Sequence, residues 1–314
     1  MKPRDAFGQD WFVSPWNVGA ELEASRRMVI HDTTLRDGEQ QDGIVFTPAQ
    51  KIAIAQALED LGVDRLEVGM IGSGAEETET ISRIAEICRR ARIWAITSPS
   101  PTRARLAADS GLAGIGVILF ANRQHRRVFG RDLDQSLAEA IETAQIIREA
   151  GLETTLLVAD APRYLVSELA GVVERVADSN AFTGLALMDT FGSLSPAGAA
   201  RLVSAVRSIS EIPLEFHGHN DFGLAVANSL SSFYAGAGVV HATVLGLGER
   251  VGNTALEELI LAAAVLYGAE SGIDLSKLTG VAGLVRREAG IPVAPHKPVV
   301  GDRIYDVETG GIAS

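Results

Sequence analysis

The stretch LEFHGHNDFGLAVANSLSSFY (residues 214–234) contains one complete strand–turn–helix unit. Its first four residues, Leu214 to His217, form the short apolar run that is typical of a buried strand. A polar turn follows, and Asp221 is expected to cap a helix that extends to about Tyr234. The same order of apolar run, turn and helical pattern recurs along the chain, so this unit decides the fold.

Eight such units can be counted, and each begins with a predicted strand. The strands are residues 28–31, 64–69, 93–97, 115–120, 154–158, 185–188, 214–217 and 239–245. Strands and helices that alternate in this number predict an α/β fold of the (β/α)₈ TIM-barrel type. An open, doubly wound sheet is the alternative, but no Gly-rich dinucleotide-binding turn follows the first strand.

Capping residues predict where two of the helices begin and end. Thr47 followed by Pro48 predicts the N-cap and first position of a helix that stops at Gly62. Thr254-Ala255-Leu256-Glu257 predicts a capping box at the start of the last barrel helix, which extends to Tyr267.

Both ends of the chain lie outside the predicted barrel. Residues 28–268 are expected to form the barrel, residues 1–27 an N-terminal extension, and residues 269–314 a tail with one helix near 275–288. The ends carry many apolar side chains: Trp11, Phe12, Trp16, Leu275, Leu278, Val281, Leu284, Val285, Ile291, Val293, Val299 and Val300. A closed barrel has little interior left for them, so either they fold back on their own barrel or they form a subunit interface.

The composition excludes several classes of function. Hydrophobic residues make up 46% of the chain and charged residues 22%, which is ordinary for a globular protein. Apolar runs are interrupted well before about 20 residues, so no membrane span is predicted, and the N-terminus lacks the apolar region of a secretory signal. A net charge of −12 disfavours nucleic acid as a partner. The single cysteine, Cys88, cannot form an internal disulfide, which fits a cytoplasmic protein.

Polar residues concentrate at the predicted C-terminal ends of three strands, where TIM barrels build their active sites. HDTTLRDGEQ (31–40) follows the first strand, HGHND (217–221) the seventh and GLGERVGN (246–253) the eighth. Considered separately, the first could be a solvated turn and the third a tight glycine loop.

The second of these segments points to a metal site. His217 and His219 are two residues apart, so an extended chain presents both imidazoles to the same side, where they suit a divalent cation. Because the first, seventh and eighth strands are neighbours in a closed barrel, Asp37 and Asn253 could converge with them. Zinc, manganese, cobalt and iron suit imidazole pairs, and a carboxylate in the set also admits magnesium. Asp221 is better explained as a helix cap than as a ligand.

The three segments, in this order, resemble the signature motifs of the DRE-TIM metallolyases from about Met28 to Tyr267. This superfamily includes 2-isopropylmalate, homocitrate and citramalate synthases and hydroxymethylglutaryl-CoA lyase. The resemblance implies a metal-dependent Claisen condensation of an acyl-CoA, with acetyl-CoA as the expected donor, and a 2-oxo acid. The products would be CoA and a 2-hydroxy diacid. The alternatives are a carbon–carbon lyase of retro-aldol or retro-Claisen type, although the loop after the eighth strand lacks that lyase's expected cysteine, and a non-catalytic binding barrel.

The resemblance also implies roles for individual residues. The metal ligands would be Asp37, His217, His219 and, as a nearby or weaker ligand, Asn253. Arg36 would polarise the 2-oxo group and stabilise the developing alkoxide, and Glu67 would orient Arg36. The residues implied to bind substrate are Gln40, His125 and Thr190.

The sequence departs from the synthase pattern at three places. The glutamate after the fifth strand is replaced by Ala159, and the Ser-Asp pair that precedes the fourth-strand histidine is replaced by Asn122 and Arg123. A histidine beyond the barrel is replaced by Val307. The identity of the general base therefore stays open, as do the metal, the 2-oxo acid, the acyl-CoA and the direction of the reaction.

In the synthases that the sequence resembles, the tail crosses to the neighbouring subunit and covers its active site. The resemblance thus implies a homodimer in which Tyr305 and Glu308 approach the partner's site. No regulatory domain follows the tail in this sequence, so a leucine-type allosteric site is not expected.

Overall fold

The computed structural model describes residues 27–108 and 110–308. Eight parallel strands form a closed barrel in which each strand pairs with the next and the last pairs with the first. They are β1 (Val29–Asp32), β2 (Arg65–Met70), β3 (Arg92–Thr97), β4 (Gly114–Leu119), β5 (Glu153–Val158), β6 (Gly184–Asp189), β7 (Leu214–Gly218) and β8 (Val239–Ala242). The predicted TIM barrel is confirmed, and the open sheet is wrong.

The helices surround the barrel in chain order. They are α1 (Pro48–Leu61), α2 (Ala75–Ile87), α3 (Pro101–Ala108), α4 (Arg123–Phe129), α5 (Leu133–Glu149), α6 (Val166–Ser179), α7 (Pro196–Arg207), α8 (Ala225–Ala235), α9 (Leu256–Tyr267) and α10 (Leu278–Ala289). Within residues 27–108 and 110–308, no helix has the length and hydropathy that crossing a membrane requires.

The predicted caps of α1 are confirmed. The Thr47 hydroxyl accepts a hydrogen bond from the Gln50 amide, and the Gln50 side chain accepts one from the Thr47 amide. Pro48 occupies the first turn, and Gly62 ends the helix in the left-handed conformation with φ 101°. These local signals succeed because they depend only on residues within one helical turn.

Successive residues of each strand alternate between the two faces of the barrel wall. Outward side chains such as Val117, Leu187 and Val240 belong to the main core between the barrel and its helices. Inward side chains divide the barrel interior into two halves. Those of β7, β8, β1 and β2 are largely ionisable, whereas those of β3–β6 are largely apolar. The predicted metal ligands Asp37, His217 and Asn253 lie at the mouth of the ionisable half.

Two predicted features at the end of β7 and β8 are wrong. Strand β8 ends at Ala242, and a 3₁₀ turn at Val244–Gly246 replaces the rest of the predicted strand. Asp221 does not cap α8, because the segment from Asn220 first makes a turn that closes at Gly223, and α8 begins only at Ala225. The helix's first amide, that of Ala225, donates to the Asn220 side chain instead.

The predicted capping box at Thr254 is also wrong. The Thr254 hydroxyl lies 2.8 Å from the Ser229 hydroxyl of α8 and links the segment before α9 to that helix. The Glu257 carboxylate accepts a hydrogen bond from the Leu245 amide, so it stabilises the 3₁₀ turn and does not cap α9. Contacts distant in sequence decide both cases. Cys88 is buried beyond the end of α2.

The tail folds back on its own barrel over most of its described length. Leu278, Val281 and Val285 of α10 are buried and belong to the main core. The Lys297 ammonium lies 2.7 Å from the Glu258 carboxylate of α9, so the tail is held at that point too. Of the two alternatives for the tail, folding back on the chain's own barrel is confirmed for α10, whose apolar residues cover the outer helices rather than the barrel interior. Trp11, Phe12 and Trp16 lie outside the described residues.

Candidate active site

A tight turn after β1 brings Asp37 to the mouth of the barrel. The Thr33 carbonyl accepts hydrogen bonds from the amides of Arg36, Asp37 and Gly38. Asp32 fixes the start of the turn, because its carboxylate accepts from the Thr34 amide at 2.9 Å and the Thr34 hydroxyl at 3.0 Å. The HDTTLRDGEQ segment is thus a buried, internally bonded turn rather than a solvated one.

Asp37, His217 and His219 form a compact buried group, the metal-ligand triad. One ligand atom from each lies within 4.8 Å of the others. The Nε2 atoms of the two histidines are 3.2 Å apart, and His217 Nε2 is 3.3 Å from Asp37 Oδ2. Two ligand atoms that each lie about 2.1 Å from one metal ion, with a ligand–metal–ligand angle of about 90–110°, are about 3.0–3.4 Å from each other. The separation and the N,N,O donor chemistry of the triad fit one divalent cation.

The pKa values of the triad residues favour the protonation states that binding of a cation requires. Burial would raise the pKa of Asp37, but Arg36 and His217 hold it well below its usual range. Burial and the nearby His217 lower the pKa of His219 to about 3. Burial likewise lowers the pKa of His217. At neutral pH the group is therefore one carboxylate with two uncharged imidazoles, which are ready to coordinate a metal without losing protons.

Asn253, predicted as a nearby or weaker ligand, lies in the loop after β8. It pairs with His219 in an isolated antiparallel bridge. Its side-chain oxygen and nitrogen are buried, and no hydrogen-bond partner among the described residues reaches them. The loop needs its glycines for steric reasons. A Cβ on Gly252 would lie 1.9 Å from the Gly246 carbonyl oxygen, and a Cβ on Gly248 would lie 2.5 Å from Asn253 Nδ2. The glycine loop thus leaves the Asn253 amide without a hydrogen-bond partner among the described residues, next to the strand end that carries His219.

Arg36 lies between two carboxylates next to the triad. Its Nε donates to Glu67 Oε1 at 2.5 Å and its Nη1 to Asp37 Oδ2 at 2.8 Å. Gln40 is a further, longer partner at 3.4 Å. Burial lowers the pKa of Arg36, but Glu67 and Asp37 raise it above its ordinary value, and Arg36 in turn lowers the pKa of the buried Glu67 to about 2. The buried Nη2 has no partner among the described residues, so one donor is left for a ligand.

Thr190 and His125 lie at the rim, outside this buried group. The Thr190 hydroxyl accepts from the Asp160 amide at 2.8 Å, and its carbonyl accepts from Arg250. His125 lies on α4, half-buried against Phe120, with their ring centroids 5.1 Å apart. No described contact joins His125 to the triad, so its predicted substrate contact stays a prediction.

A second cluster of ionisable groups, which was not predicted from the sequence, lies inside the barrel. His31, Glu215 and His241 are buried directly below the triad, and their ligand atoms lie within 4.8 Å of one another. The His31 and His241 rings stack 4.3 Å apart, and His241 Nε2 is 2.8 Å from Glu215 Oε2. Arg65 forms an ion pair with Glu215 at 2.8 Å, so this carboxylate is already neutralised. Glu215 is two residues before His217, so its side chain points to the same face of β7 as His217 and His219. The spacing that predicted the two histidines was therefore a signal for Glu215 as well.

The residues that depart from the synthase pattern have structural roles or none. Ala159 is buried at the end of β5 and supplies no proton. Asn122 caps α4 and also donates to the Asp160 carboxylate, which accepts from Arg163 as well. Val307 is 52% exposed. The general base predicted for the reaction is therefore found at neither Ala159 nor Val307.

Comparisons with known proteins agree with this arrangement. A family model described as HMGL-like matches residues 27–285. The chain is 35% identical over 290 residues to 2-isopropylmalate synthase of Methanocaldococcus jannaschii, covering 92% of this chain and 56% of that protein. It is 32% identical to homocitrate synthase of Methanothermobacter thermautotrophicus, covering 96% and 77%. It is 35% identical to 2-phosphonomethylmalate synthase of Streptomyces rubellomurinus, covering 90% and 76%. The chain thus spans little more than half the length of the first of these relatives.

Solved structures share the fold at lower identity. Hydroxymethylglutaryl-CoA lyase of Pseudomonas aeruginosa superposes with a TM-score of 0.76 at 21% identity, covering 85% of this chain and 94% of that one. The carboxyl transferase domain of Rhizobium etli pyruvate carboxylase gives 0.71 at 17% identity, covering 86% and 48%. At this identity the likeness is one of architecture.

Proposed function

Because this chain belongs to the HMGL-like family, within the DRE-TIM metallolyase superfamily, we propose that it condenses an acyl-CoA with a 2-oxo acid in a metal-dependent Claisen reaction. The observation that carries the proposal is the metal-ligand triad beside the unpaired Nη2 of Arg36. The relatives with 32–35% identity are named as synthases of 2-isopropylmalate, homocitrate and 2-phosphonomethylmalate, which supports condensation.

Asp37, His217 and His219 would hold the divalent cation, with Asn253 beside them. When bound, the cation supplies Lewis-acid polarisation of the 2-oxo group. Zinc, manganese, cobalt and magnesium all suit the donor set, and the proposal does not choose among them.

The chain's own residues then act on charge and position. Arg36 supplies a fixed positive charge where the ketone oxygen becomes an alkoxide. Glu67 holds Arg36 through its Nε at 2.5 Å, so the guanidinium is oriented before substrate arrives. In the reaction, the α-carbon of the acyl group loses a proton and forms a bond to the ketone carbon. Hydrolysis of the thioester then releases CoA.

A free-thiol assay tests this proposal. Acetyl-CoA and a panel of 2-oxo acids are incubated with the full chain, with and without Mn²⁺. We expect thiol release that requires both the 2-oxo acid and the metal. Release without a 2-oxo acid would indicate a thioesterase. The second candidate is a carbon–carbon lyase, a reaction class represented in the same superfamily by hydroxymethylglutaryl-CoA lyase. No thiol release, together with 2-oxo acid formation from 2-hydroxy acids, would support that lyase instead.

We also propose a homodimer in which the last described residues reach the partner's barrel mouth. Tyr305 is 89% exposed on its own chain, and Glu308 is exposed too, which supports a role away from the chain's own core. Truncation after Arg303 is a cleaner test than truncation after Gly268, which would remove the buried residues of α10. We expect the shortened chain to bind Mn²⁺ normally but to lose about tenfold or more in kcat.

Light scattering of the unmodified chain measures the assembly. A monomer at micromolar concentration would contradict the dimer, and unchanged turnover after truncation would show that the tail has no part in catalysis. A Tyr305→Phe variant keeps the ring and removes only the hydroxyl. It serves as the matched control that shows whether the effect of the truncation comes from this hydroxyl.

A further inference from the structure

A buried carboxylate, that of Glu257 in the first turn of α9, joins the tail to the turn at Val244–Gly246, which we call the β8 turn. Glu257 is 2% exposed. One of its oxygens accepts a hydrogen bond from the Leu245 amide at 2.9 Å. The other lies 3.3 Å from the Lys297 ammonium of the tail. Within the described part of the chain, no other basic side chain forms an ion pair with this carboxylate.

The β8 turn has a backbone conformation that needs outside support. Leu245 has φ 62° and ψ 6°, in the left-handed region that residues with a Cβ disfavour. Its amide donates to the Glu257 side chain rather than to the backbone. A hydrogen bond to a carboxylate is about twice as strong as one to a neutral acceptor. The charge on Glu257 therefore helps to hold Leu245 in this conformation.

The β8 turn is bonded to two parts of the candidate active site. On one side, the Val244 amide donates at 2.9 Å to the hydroxyl of Thr34, in the turn after β1 that presents the first metal ligand. On the other side, the Gly246 carbonyl accepts from the Asn253 amide at 2.9 Å. Leu245 lies between these two bonds, so a change in its backbone displaces both.

Lys297 reaches Glu257 from a compact loop of the tail. Two backbone hydrogen bonds close this loop, one from the Gly301 amide to the Lys297 carbonyl at 2.9 Å and one from the Arg303 amide to the Pro295 carbonyl at 2.8 Å. Gly301 is required there, because a Cβ would lie 2.4 Å from the Pro295 carbonyl oxygen. The Lys297 side chain is only 19% exposed. The fold of the loop thus holds its ammonium beside α9.

Loss of the Lys297 charge would change the state of Glu257. Burial raises the pKa of this carboxyl group, and Lys297 is the largest influence that lowers it. Without Lys297, Glu257 is a buried carboxylate that lacks a cationic partner, and such a group takes up a proton. A neutral carboxyl group accepts more weakly from the Leu245 amide, so the β8 turn loses part of its support.

We propose that Lys297 is a positioning residue for the candidate active site and that it holds the β8 turn through Glu257, without touching substrate or metal. Lys297 also lies 2.7 Å from the Glu258 carboxylate, which is 26% exposed. No described hydrogen bond joins Glu258 to the β8 turn, so that ion pair can only tie the tail to α9. The inference rests on the proposed function only for the identity of the site that the β8 turn supports.

Hydrogen–deuterium exchange of the metal-free chain tests the inference without substrate or metal. Lys297→Met keeps the length of the side chain and removes its charge. We expect the Leu245 and Asn253 amides to exchange at least about tenfold faster in this variant, and the amides of β3–β6 to be unchanged. Lys297→Arg keeps the charge and is expected to restore both rates to within about twofold. Unchanged exchange at Leu245, or a rise shared by the whole barrel, would overturn the proposal.

A matched control is available in the same tail. Lys277 also joins the tail to the barrel, because its ammonium donates to the Asp60 carbonyl of α1 at 2.8 Å, but it does so away from the β8 turn. Lys277→Met should leave exchange at Leu245 unchanged.

Calorimetric titration with Mn²⁺ measures the consequence for the metal site. We expect Lys297→Met to bind Mn²⁺ about tenfold more weakly, at the lower end of what indirect support of metal ligands contributes. Lys297→Arg should bind Mn²⁺ nearly as the unmodified chain does. Unchanged Mn²⁺ affinity in Lys297→Met would show that the β8 turn does not support the metal site.

Second substitutions identify the carboxylate through which Lys297 acts. Glu257→Gln keeps an oxygen for the Leu245 amide but no longer needs a cation. Adding Lys297→Met to it should therefore change exchange at Leu245 by less than about twofold. In a Glu258→Gln chain, the full effect of Lys297→Met should remain. The reverse pattern would show that Lys297 only ties the tail to α9, against the proposal.

These measurements separate this inference from the proposed function. If the unmodified chain neither binds Mn²⁺ nor releases thiol, while Lys297→Met still speeds exchange at Leu245 and Asn253 alone, condensation is contradicted and the support of the β8 turn stands. If the unmodified chain releases thiol with the metal, while Lys297→Met changes neither exchange nor Mn²⁺ affinity, condensation stands and the positioning role is contradicted.

Discussion

Replacing His217 with alanine is expected to lower the affinity of the chain for Mn²⁺ by at least about 100-fold, because it removes one of three protein donors. His217 is the central member of the triad, with His219 at 3.2 Å and Asp37 at 3.3 Å. Calorimetric titration of the purified chain measures the loss. His296→Ala is the matched control, because His296 is an exposed histidine outside the site.

The pH dependence of the same titration tests the protonation states. If both histidines had ordinary pKa values near 6.5, their protonation would lower the Mn²⁺ affinity about tenfold between pH 7.5 and pH 6.0. Burial lowers the pKa values of both rings, that of His219 to about 3, so protons compete less with the metal over this interval. We expect a loss of affinity clearly smaller than tenfold. A tenfold loss, or Mn²⁺ binding that survives His217→Ala, would contradict the assigned triad.

The barrel and the triad could be predicted because their signals are local. Alternation of apolar runs with helical patterns indicated eight units, and the spacing of His217 and His219 placed both rings on one side of a strand. The neighbouring positions of β1, β7 and β8 follow from closure of the barrel. The convergence of Asp37 with the histidines follows from it in turn, as the structure now shows.

The features that the sequence analysis missed depend on contacts across the barrel. Asp221 has the residue type of a helix cap, but Arg250, which is 29 residues away, binds its carboxylate at the mouth instead. The short helix α4 has no buried residue, so it lacks the apolar stripe that would have predicted it. His31 and His241 stack across β1 and β8, a pairing that the register sets and that neither strand reveals by itself.

Substitution of Arg36 by lysine is expected to lower kcat by about 100- to 1,000-fold, with less than about a tenfold change in Mn²⁺ affinity. Lysine keeps the positive charge but loses the planar fork. In the chain, that fork spans Glu67 through Nε and Asp37 through Nη1 while Nη2 stays free. A single ammonium cannot hold both carboxylates in the same geometry and also donate to a developing alkoxide, and removal of one such donor costs about 10²–10³ in kcat.

Lysine is a better test than alanine at this position. Arg36→Ala would leave the buried carboxylates of Glu67 and Asp37 without their guanidinium partner, which costs about 3–5 kcal/mol of stability and would confuse folding with catalysis. Arg83→Lys is the matched control, because Arg83 pairs with Glu86 on the exposed face of α2, far from the chemistry in sequence and environment. The control should leave turnover and Mn²⁺ affinity unchanged.

The pattern of loss distinguishes the two roles that Arg36 could have. If its Nη2 stabilises charge that develops only in the transition state, kcat falls and the KM for the 2-oxo acid changes little. If Arg36 merely binds the ground-state carboxylate, KM rises and kcat is retained. Near-normal kcat in Arg36→Lys would therefore show that the guanidinium positions the substrate and that the alkoxide is stabilised by other groups.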